Sequence, residues 1–224
     1  MVVNHIAIVM DGNRRFARKH SLPLYKGHQR GAENVEKLLD WAKELGVKEL
    51  TLYSFSMQNF NRMGEEFRYL MKLFEKFFKK VLQKLRETHE NVQFNFIGRL
   101  AKFPKHVQQL AKELVSKTRD NDGLKVNFAF GYGGREEITD AVKRIVKNKI
   151  KQIDENTISE NLYLNSEPEI IIRTGGEQRT SNFLPWQGIY AEWFFLKKFW
   201  PEFTKNDLKK VLLEFSERER RFGV

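Results

Sequence analysis

The segment whose residue types most directly suggest chemistry runs from His5 to Lys19 and reads HIAIVMDGNRRFARK. An apolar run stops there at Asp11, and a Gly-Asn turn and the cations Arg14, Arg15, Arg18 and Lys19 follow. A carboxylate beside several guanidinium groups is a poor direct ligand for an anion, but it suits a hard cation such as Mg²⁺ that in turn holds a diphosphate. The alternative left open is an Asp that caps a helix with a basic exposed face.

A second group of candidate residues lies in the segment RTGGEQRTSN, which follows a short apolar run. Arg173, Arg179 and Ser181, with the pair Gly175 and Gly176, resemble an anion cradle in which glycine lets backbone N–H groups approach and arginine binds phosphate oxygens bidentately. An ordinary tight turn is the alternative for the glycine pair. The third glycine-rich segment, GYGGR, lacks the spacing of a dinucleotide fingerprint and predicts a strand-to-helix turn.

The elements that position these segments alternate between strands and helices, which predicts an α/β fold: one domain over residues 1–224, with a largely parallel central sheet flanked by helices. In such a sheet the carboxyl ends of the strands meet at one edge, so MDGNRR, SFSMQNFNR, GYGGR and RTGGEQR converge on one pocket. We predict strands at 6–10, 48–55, 91–98, 124–130 and 169–172, and helices at 31–46, 65–88, 104–117, 136–150, 157–164 and 205–220.

Two helices carry patterns that bear on later findings. The long amphipathic helix at 65–88 presents Phe74, Phe77, Phe78, Val81 and Leu85 on a broad apolar face that suits a tunnel lining or ordinary core packing. The helix at 136–150 has an apolar face formed by Ile138, Ala141, Val142, Ile145 and Val146. We expect such faces to lie against the sheet.

Composition narrows the possible functions. The 224 residues, 41% of them hydrophobic, suffice for one sizeable core, and the absence of cysteine excludes disulfides, thiolate metal sites and thiol nucleophiles. No leader pattern is visible, and no apolar segment approaches the roughly 18 residues that span a bilayer, so we expect a soluble, cytoplasmic protein. The net charge of +11 suits nucleic acid, an anionic membrane surface or a phosphate-rich substrate.

In order along the chain, the motifs resemble those of the cis-prenyltransferase family, and within it the bacterial undecaprenyl diphosphate synthases. They are HIAIVMDGNRRFA, the Gly27-His28 pair, TLYSFSMQNFNR, GYGGR, IIIRTGGEQRTSNFLPWQ, AEWFF and RERRFG. The resemblance implies a homodimer with a hydrophobic tunnel that adds isopentenyl diphosphate to farnesyl diphosphate with cis geometry and with Mg²⁺. The implied product is undecaprenyl diphosphate, the precursor of the lipid carrier for cell-wall polysaccharide.

The resemblance also implies roles for individual residues. Asp11 would be the essential carboxylate that binds Mg²⁺ and the allylic diphosphate, Asn59 would belong to the network for proton removal, and Glu192 would be the second metal carboxylate, with the dimer interface as one place for it. Arg173, Arg179 and Ser181 would hold isopentenyl diphosphate, and the tail Arg221 to Gly223 would reach a partner's site. The other substrate-binding positions are Gly12, Asn13, Arg14, Arg15, Phe16, His28, Ser56, Met57, Gln58, Phe60, Arg62 and Thr180.

Several positions depart from the family pattern. Leu24 replaces a common Arg, with Lys26 or Arg14 as candidates for the missing charge, and Gln58 replaces a common Glu. Gln58 cannot accept a proton, so the expected acceptor is the network of Asn59 or the diphosphate itself. Arg14, Phe16 and Phe60 replace Gly, Trp and Trp.

Two other functions and a further partner stay open at this point. The changes at Leu24 and Gln58 favour a non-catalytic partner subunit on the same fold, although Asp11 and the arginine cradle are retained. Net charge alone favours a nucleic-acid binder, but the cations lie beside Asp11 and glycine-rich turns and are not interleaved with exposed aromatic residues, so no nucleic-acid partner is expected. A transient membrane-surface contact for product release competes with a solvated face for the basic C-terminal helix and the aromatic segment at 193–200.

Overall fold

A six-stranded, entirely parallel sheet forms the centre of the computed structural model, which describes residues 3–61, 64–88 and 90–218. The strand order is β3-β4-β2-β1-β5-β6. This sheet confirms the predicted fold class. The strands are β1 (His5–Val9), β2 (Glu49–Ser56), β3 (Val92–Ile97), β4 (Leu124–Tyr132), β5 (Ile170–Arg173) and β6 (Glu192–Phe195).

Seven α-helices accompany the sheet in these described residues, with a 3-10 turn at Met57–Asn61 after β2. β6 and the first helix are the elements that the sequence pattern does not separate from loops. The helices are α1 (Asn13–Lys19), α2 (Leu24–Glu44), α3 (Gly64–Thr88), α4 (Lys105–Thr118), α5 (Gly134–Lys147), α6 (Glu155–Glu160) and α7 (Lys205–Glu217).

The strand order places a topological switch point beside β1. β2 follows β1 along the chain and pairs with one of its edges, whereas β5, more than a hundred residues later, pairs with the other edge. Ligands of open α/β sheets bind beyond the carboxyl ends of strands at such a point. The loops after β1 and β5 therefore form the crevice expected to hold a ligand.

β1 is buried on both faces because its successive side chains alternate between two apolar clusters. Ile6 and Ile8 belong to the larger cluster, which joins the sheet to α2, α3, α4 and α7. Ala7 and Val9 belong to the smaller cluster, which includes Phe183 and Leu184. The continuous apolar run of the sequence thus fits a central strand covered on both sides.

The start of α2 is a correction to the sequence prediction. The helix begins at Leu24, directly after Pro23, and not at Gly31. A Cβ on Gly27 would lie 2.1 Å from the carbonyl oxygen of Asn13, and one on Gly31 would lie 2.3 Å from Asn13 Oδ1. These glycines permit close contact between α1 and α2 and do not mark a turn.

The apolar face predicted for α5 is only partly buried. Ala141 and Ile145 are fully covered, whereas Val142 and Val146 remain 47% and 69% exposed. Val142 and Val146 thus belong to the predicted apolar face but are not covered by the core. The helix presents one narrow stripe to the core and leaves two aliphatic positions at the surface.

The helices of residues 3–61, 64–88 and 90–218 are amphipathic or short. None of the helices there combines the length and the apolar character that a span requires.

The α1–α2 contact predicts that Gly27→Ala destabilises the fold. A methyl group overlapping a backbone oxygen forces the helices apart, and overpacking of this kind typically lowers the free energy of unfolding by about 1–3 kcal/mol. Gly64→Ala is the matched control, because a Cβ at this helical glycine meets nothing within 4 Å. Urea denaturation should show a loss for Gly27→Ala alone, and equal stability of both variants would contradict the steric explanation.

Candidate active site

The crevice is closed at its base by an ion pair between the ends of β1 and β5. Nη2 of Arg173 donates to Asp11 Oδ2 at 2.9 Å, and Arg173 is only 3% exposed. The loop that follows Arg173 is tied to the same place, because Thr174 Oγ1 donates to the carbonyl oxygen of Asp11 at 2.8 Å. Two segments far apart in sequence are thereby fixed around one carboxylate.

The ionisation of Asp11 is set by competing influences. Partial burial raises its pKa, but the hydrogen bond from Arg173 and the charge of Arg15 together lower the pKa below the ordinary aspartate value. Arg15 Nη2 lies 3.1 Å from Asp11 Oδ1. Asp11 is therefore a carboxylate at neutral pH, and it keeps a partly exposed side chain that faces the crevice.

Glu177 links the arginines of the two loops. Arg15 Nη1 donates to Glu177 Oε1 at 2.9 Å, and Arg179 Nη1 donates to Glu177 Oε2. Arg173 completes the cluster, since its Nη1 donates to Ser181 Oγ at 2.7 Å. Guanidinium groups from α1 and from the loop after β5 are thus brought together, as the sequence predicts.

The backbone of the Gly175-Gly176 pair does not face an anion, which corrects part of the predicted cradle. The N–H of Gly175 donates to the carbonyl of Lys198 and that of Gly176 donates to the carbonyl of Leu196. Gly175 has φ +92°, and a Cβ there would lie 2.7 Å from Arg15 Nη2. The pair joins the loop to the chain after β6 and leaves room for Arg15.

A polar pocket of about 840 Å³ opens above these groups. Among the described residues, four arginines and two carboxylates line its walls. The pocket therefore carries an excess of positive charge, which suits a phosphate-rich ligand. The lining residues are Met10, Asp11, Gly12, Asn13, Arg14, Arg15, Arg18, His28, Glu177 and Arg179.

His28 lies on the far wall, where α2 passes the pocket. Its Nε2 is 3.1 Å from Glu66 Oε1 at the start of α3, and Arg14 Nε lies 3.9 Å from the same oxygen. Asn13 Oδ1, next to Gly31, is buried without a hydrogen-bond partner among the described residues. His28 of α2 and Asn13 of α1 thus place polar side chains in the wall of the pocket.

The loop after β2 supplies a second wall. The backbone N–H of Ser56 donates to Asn59 Oδ1 at 3.1 Å, which fixes the orientation of the Asn59 amide. Ser56 and Asn59 line a smaller opening together with Asp11 and Tyr53. Burial raises the pKa of Tyr53 well above its ordinary value, so this hydroxyl stays protonated.

An apolar cleft of about 600 Å³ leads away from the polar pocket and shares Met10, Asn13 and His28 with it. Phe74, Phe77 and Phe78 of α3 line this cleft and at the same time belong to the larger core cluster or pack on it, as Val81 and Leu85 do. The other lining residues are Gly31, Ala32, Val35, Tyr53, Ser54, Leu70, Leu73, Phe128, Phe130 and Trp200.

Other predicted binding residues near the crevice either pack against aromatic rings or are exposed at the surface. The Phe16 ring packs against His20, with centroids 4.5 Å apart, and the Phe60 ring packs against Phe55 and Phe103. Met57 and Gln58 lie on the 3-10 turn, Gln58 being exposed, and Thr180 is exposed beside Ser181. Arg62 and the tail from Arg221 to Gly223 lie outside the described residues.

Glu192 is not part of this site within one chain. It begins β6 and pairs with Ile170, while the crevice edge is marked by the pairing of Phe195 with Arg173. Three residues of strand separate the two levels by about 10 Å. The Glu192 carboxylate instead accepts a hydrogen bond from Arg218 at 2.6 Å. Glu192 and Asp11 of the same chain therefore do not bind one metal ion together.

The donor set fits a magnesium ion held by one protein carboxylate and a substrate diphosphate. Within residues 3–61, 64–88 and 90–218, no cluster of three or more His, Asp or Glu side chains forms a complete metal cage. Mg²⁺ commonly binds through one or two carboxylates plus substrate phosphates. Asp11, which faces the pocket, would be the ligand from this chain.

Two acidic residues were missed by the sequence analysis. Glu177 lies inside the RTGGEQR motif, and a lone carboxylate among arginines was the available signal. Glu66 gave no such signal, because it reads as an ordinary first-turn acid of α3. Its approach to His28 is visible only when α2 and α3 are packed together.

Comparison with known proteins agrees with this geometry. A family model described as "Putative undecaprenyl diphosphate synthase" matches residues 9–223. A Pyrococcus horikoshii tritrans,polycis-undecaprenyl-diphosphate synthase (geranylgeranyl-diphosphate specific) is 45% identical, covering 98% of this chain and 86% of the relative. An isoprenyl transferase of Thermotoga maritima is 44% identical, covering 99% of this chain and 97% of the relative.

A solved structure is similar over the same extent. Lavandulyl diphosphate synthase from Lavandula x intermedia, in complex with dimethylallyl diphosphate, superposes with a TM-score of 0.95 at 34% identity, covering 100% of this chain and 99% of that one. The family match, the relatives and the sheet with its carboxylate and arginine crevice agree. The chain therefore belongs to the undecaprenyl diphosphate synthase family of cis-prenyltransferases and is a prenyltransferase.

Proposed function

We propose that this enzyme condenses isopentenyl diphosphate with farnesyl diphosphate in the presence of Mg²⁺ and extends the product to undecaprenyl diphosphate. The observation that carries the proposal is the arrangement of Asp11, Arg15, Arg173 and Arg179 around a polar pocket that opens into an apolar cleft. A diphosphate with a hydrocarbon tail has the same two parts. The relatives support the transfer of prenyl groups in general.

The polar pocket would hold the allylic diphosphate against Asp11, with Gly12, Asn13 and Arg15 around it. Asp11 would hold the magnesium ion, which would supply Lewis-acid stabilisation of the charge that develops on the departing diphosphate. Arg15 is positioned to donate to the same oxygens, and His28 faces the pocket from α2. Cationic groups fixed where charge develops lower the barrier of such a step.

Isopentenyl diphosphate would bind Arg173, Arg179 and Ser181 on the loop after β5. Glu177 holds Arg179 and Arg15 in place before substrate binds, and an incoming anion would compete with it for Arg179. The new carbon–carbon bond requires loss of a proton from the second substrate. Because Asn59 Oδ1 already accepts from Ser56, we assign Asn59 to positioning and the departing diphosphate to the role of proton acceptor.

The allylic starter, the cellular location and the oligomeric state complete the proposed function. Several relatives are named as geranylgeranyl-diphosphate specific, which makes a longer allylic starter the main alternative to farnesyl diphosphate. We place the reaction in the cytoplasm, in the supply of the lipid carrier for the cell wall, and in a homodimer. In such a dimer, Glu192 of a second copy would be the remaining candidate for a second metal carboxylate.

Asp11→Asn should reduce prenyl transfer by at least about 10²-fold, the usual cost of removing one group that stabilises transition-state charge. Asp120→Asn, at an 87% exposed position beside Arg119 and outside the pocket, is the control. The assay is incorporation of labelled isopentenyl diphosphate, with thermal unfolding to verify that both variants fold. Full activity of folded Asp11→Asn would contradict the role of this carboxylate.

Chelation with EDTA should abolish incorporation by the purified chain, and added Mg²⁺ should restore it, since a hard cation suits the Asp11 carboxylate and a diphosphate. Farnesyl and geranylgeranyl diphosphate are compared as starters in the same assay. Activity in EDTA would rule out the metal. Inactivity with both starters and Mg²⁺ would favour the alternative of a non-catalytic partner subunit.

Phe128→Ala should lengthen the product, because Phe128 lines the cleft in contact with Phe77 and Phe78, and removal of its ring would extend the apolar space. Phe94→Ala is the matched control: Phe94 is equally buried but lies outside the cleft lining. Each truncation should cost about 3–5 kcal/mol of stability. Mass analysis of the products tests the prediction, and an unchanged length distribution in folded Phe128→Ala would contradict it.

A further inference from the structure

A surface at the C-terminal end of α5 combines exposed aliphatic side chains with a run of cations. Its aliphatic members are 36% to 69% exposed, and residues 141–153 contain no Asp or Glu. We call this surface the α5 patch. Its members are Val142, Val146, Ile150 and Ile153 together with Lys143, Lys147, Lys149 and Lys151.

The backbone gives the α5 patch a defined shape. Lys149 has φ +55°, a left-handed conformation that is uncommon for a residue with a side chain. Its N–H donates to the carbonyl of Val146, and the N–H of Ile150 donates to the carbonyl of Ile145. This helix-ending motif folds the chain back beside the last turn of α5, so hydrogen bonds hold the backbone of Ile150 there.

The cations of the α5 patch are available for a partner. Lys147, Lys149 and Lys151 make no ion pair with the residues that the structure describes, and Lys143 remains 70% exposed although it lies 3.7 Å from Asp140. The neighbouring Arg144 is engaged elsewhere, since it lies over the Tyr163 ring and donates to the carbonyl of Asn161.

Asp140, which precedes the α5 patch, also pairs with Arg99, and two further acids follow the patch in sequence. Asp154 caps α6 by accepting from Thr157, and Glu155 lies in the first turn of that helix. Positive charge still exceeds negative charge when these two acids are included. The segment from 143 to 151 contains five cations, which are Lys143, Arg144, Lys147, Lys149 and Lys151.

We propose that the α5 patch docks the protein on the surface of an anionic lipid bilayer. Aliphatic side chains that enter the interface and lysines that reach acidic headgroups are the two contributions that such binding needs. A nucleic acid would satisfy the lysines but leave Val146 and Ile153 in water. A second copy in an isologous contact would place the same lysines opposite one another, which charge repulsion disfavours.

The position of the α5 patch separates docking from the chemistry. α5 begins directly after β4 at the crevice edge of the sheet, and a helix that connects parallel strands runs back across the sheet. The patch therefore lies toward the edge opposite Asp11. Docking through it leaves the polar pocket open to soluble diphosphates.

Co-sedimentation of the full chain with vesicles tests the proposal. We expect binding to mixed phosphatidylcholine and phosphatidylglycerol vesicles, weakened by salt, and little binding to phosphatidylcholine alone. Each lysine near an anionic surface strengthens binding about fivefold, so the triple variant Lys147→Gln, Lys149→Asn, Lys151→Gln should bind about 100-fold more weakly. Val146→Ser with Ile153→Ser should also weaken binding, because the aliphatic contribution is lost.

The matched control removes the same charge elsewhere. Lys105→Gln, Lys112→Gln and Lys117→Gln neutralise three exposed lysines of α4 and should leave most of the binding intact. An equal loss in this control would overturn the proposal in favour of net charge alone, and absence of binding to the mixed vesicles would overturn it outright.

Two further readouts separate other partners. If patch variants change the oligomeric state by light scattering and keep vesicle binding, the surface belongs to a second copy. If the chain binds duplex DNA or RNA more tightly than vesicles, and only the lysine variant loses it, the partner is a nucleic acid. Either result overturns the proposal. Prenyl transfer in solution should be unchanged in all variants, so docking can fail without affecting the proposed reaction.

Discussion

The ion pair between Arg173 and Asp11 is the interaction on which the site depends. A buried guanidinium without a partner is costly, and removing one member of such a pair typically destabilises a protein by about 3–5 kcal/mol. The same guanidinium also donates to Ser181 Oγ and to the carbonyl of Arg179. One side chain therefore sets the position of the metal-binding carboxylate and the course of the loop proposed to hold the second substrate.

The second constraint on the crevice is the close approach of neighbouring segments at glycines, where a side chain would not fit. Gly27 and Gly31 let α2 touch Asn13, and Gly12, at φ +111°, lies against Phe199 where a Cβ would come within 2.9 Å. The guanidinium of Arg15 lies over the Phe199 ring, with its Cζ atom 5.6 Å from the ring centroid. The backbone that carries Asp11 and Arg15 is therefore tightly packed, which fixes the positions from which their side chains extend.

The sequence was sufficient for the sheet, the order of most elements and the convergence of Asp11 with the arginines, because apolar periodicity and strand-end motifs are local signals. It failed where the outcome depends on packing between distant segments. Gly27 is typical of a turn until Asn13 is placed beside it, and Val142 is typical of a core face until the width of the contact is known. The metal role of Glu192 came from the resemblance and stays a prediction: the register of β6 separates it from Asp11 of the same chain, so the dimer interface is its expected place.

The strand order has a consequence for the order in which the protein can be assembled. Arg173 follows Asp11 by 162 residues, and β1 pairs with β5 on the edge that faces away from β2. During synthesis from the N-terminus, β1 therefore presents an apolar strand with an unpaired edge until most of the chain has emerged. Such an edge is prone to pair with other chains. Completion of the crevice and protection of this edge are thus the same late folding event.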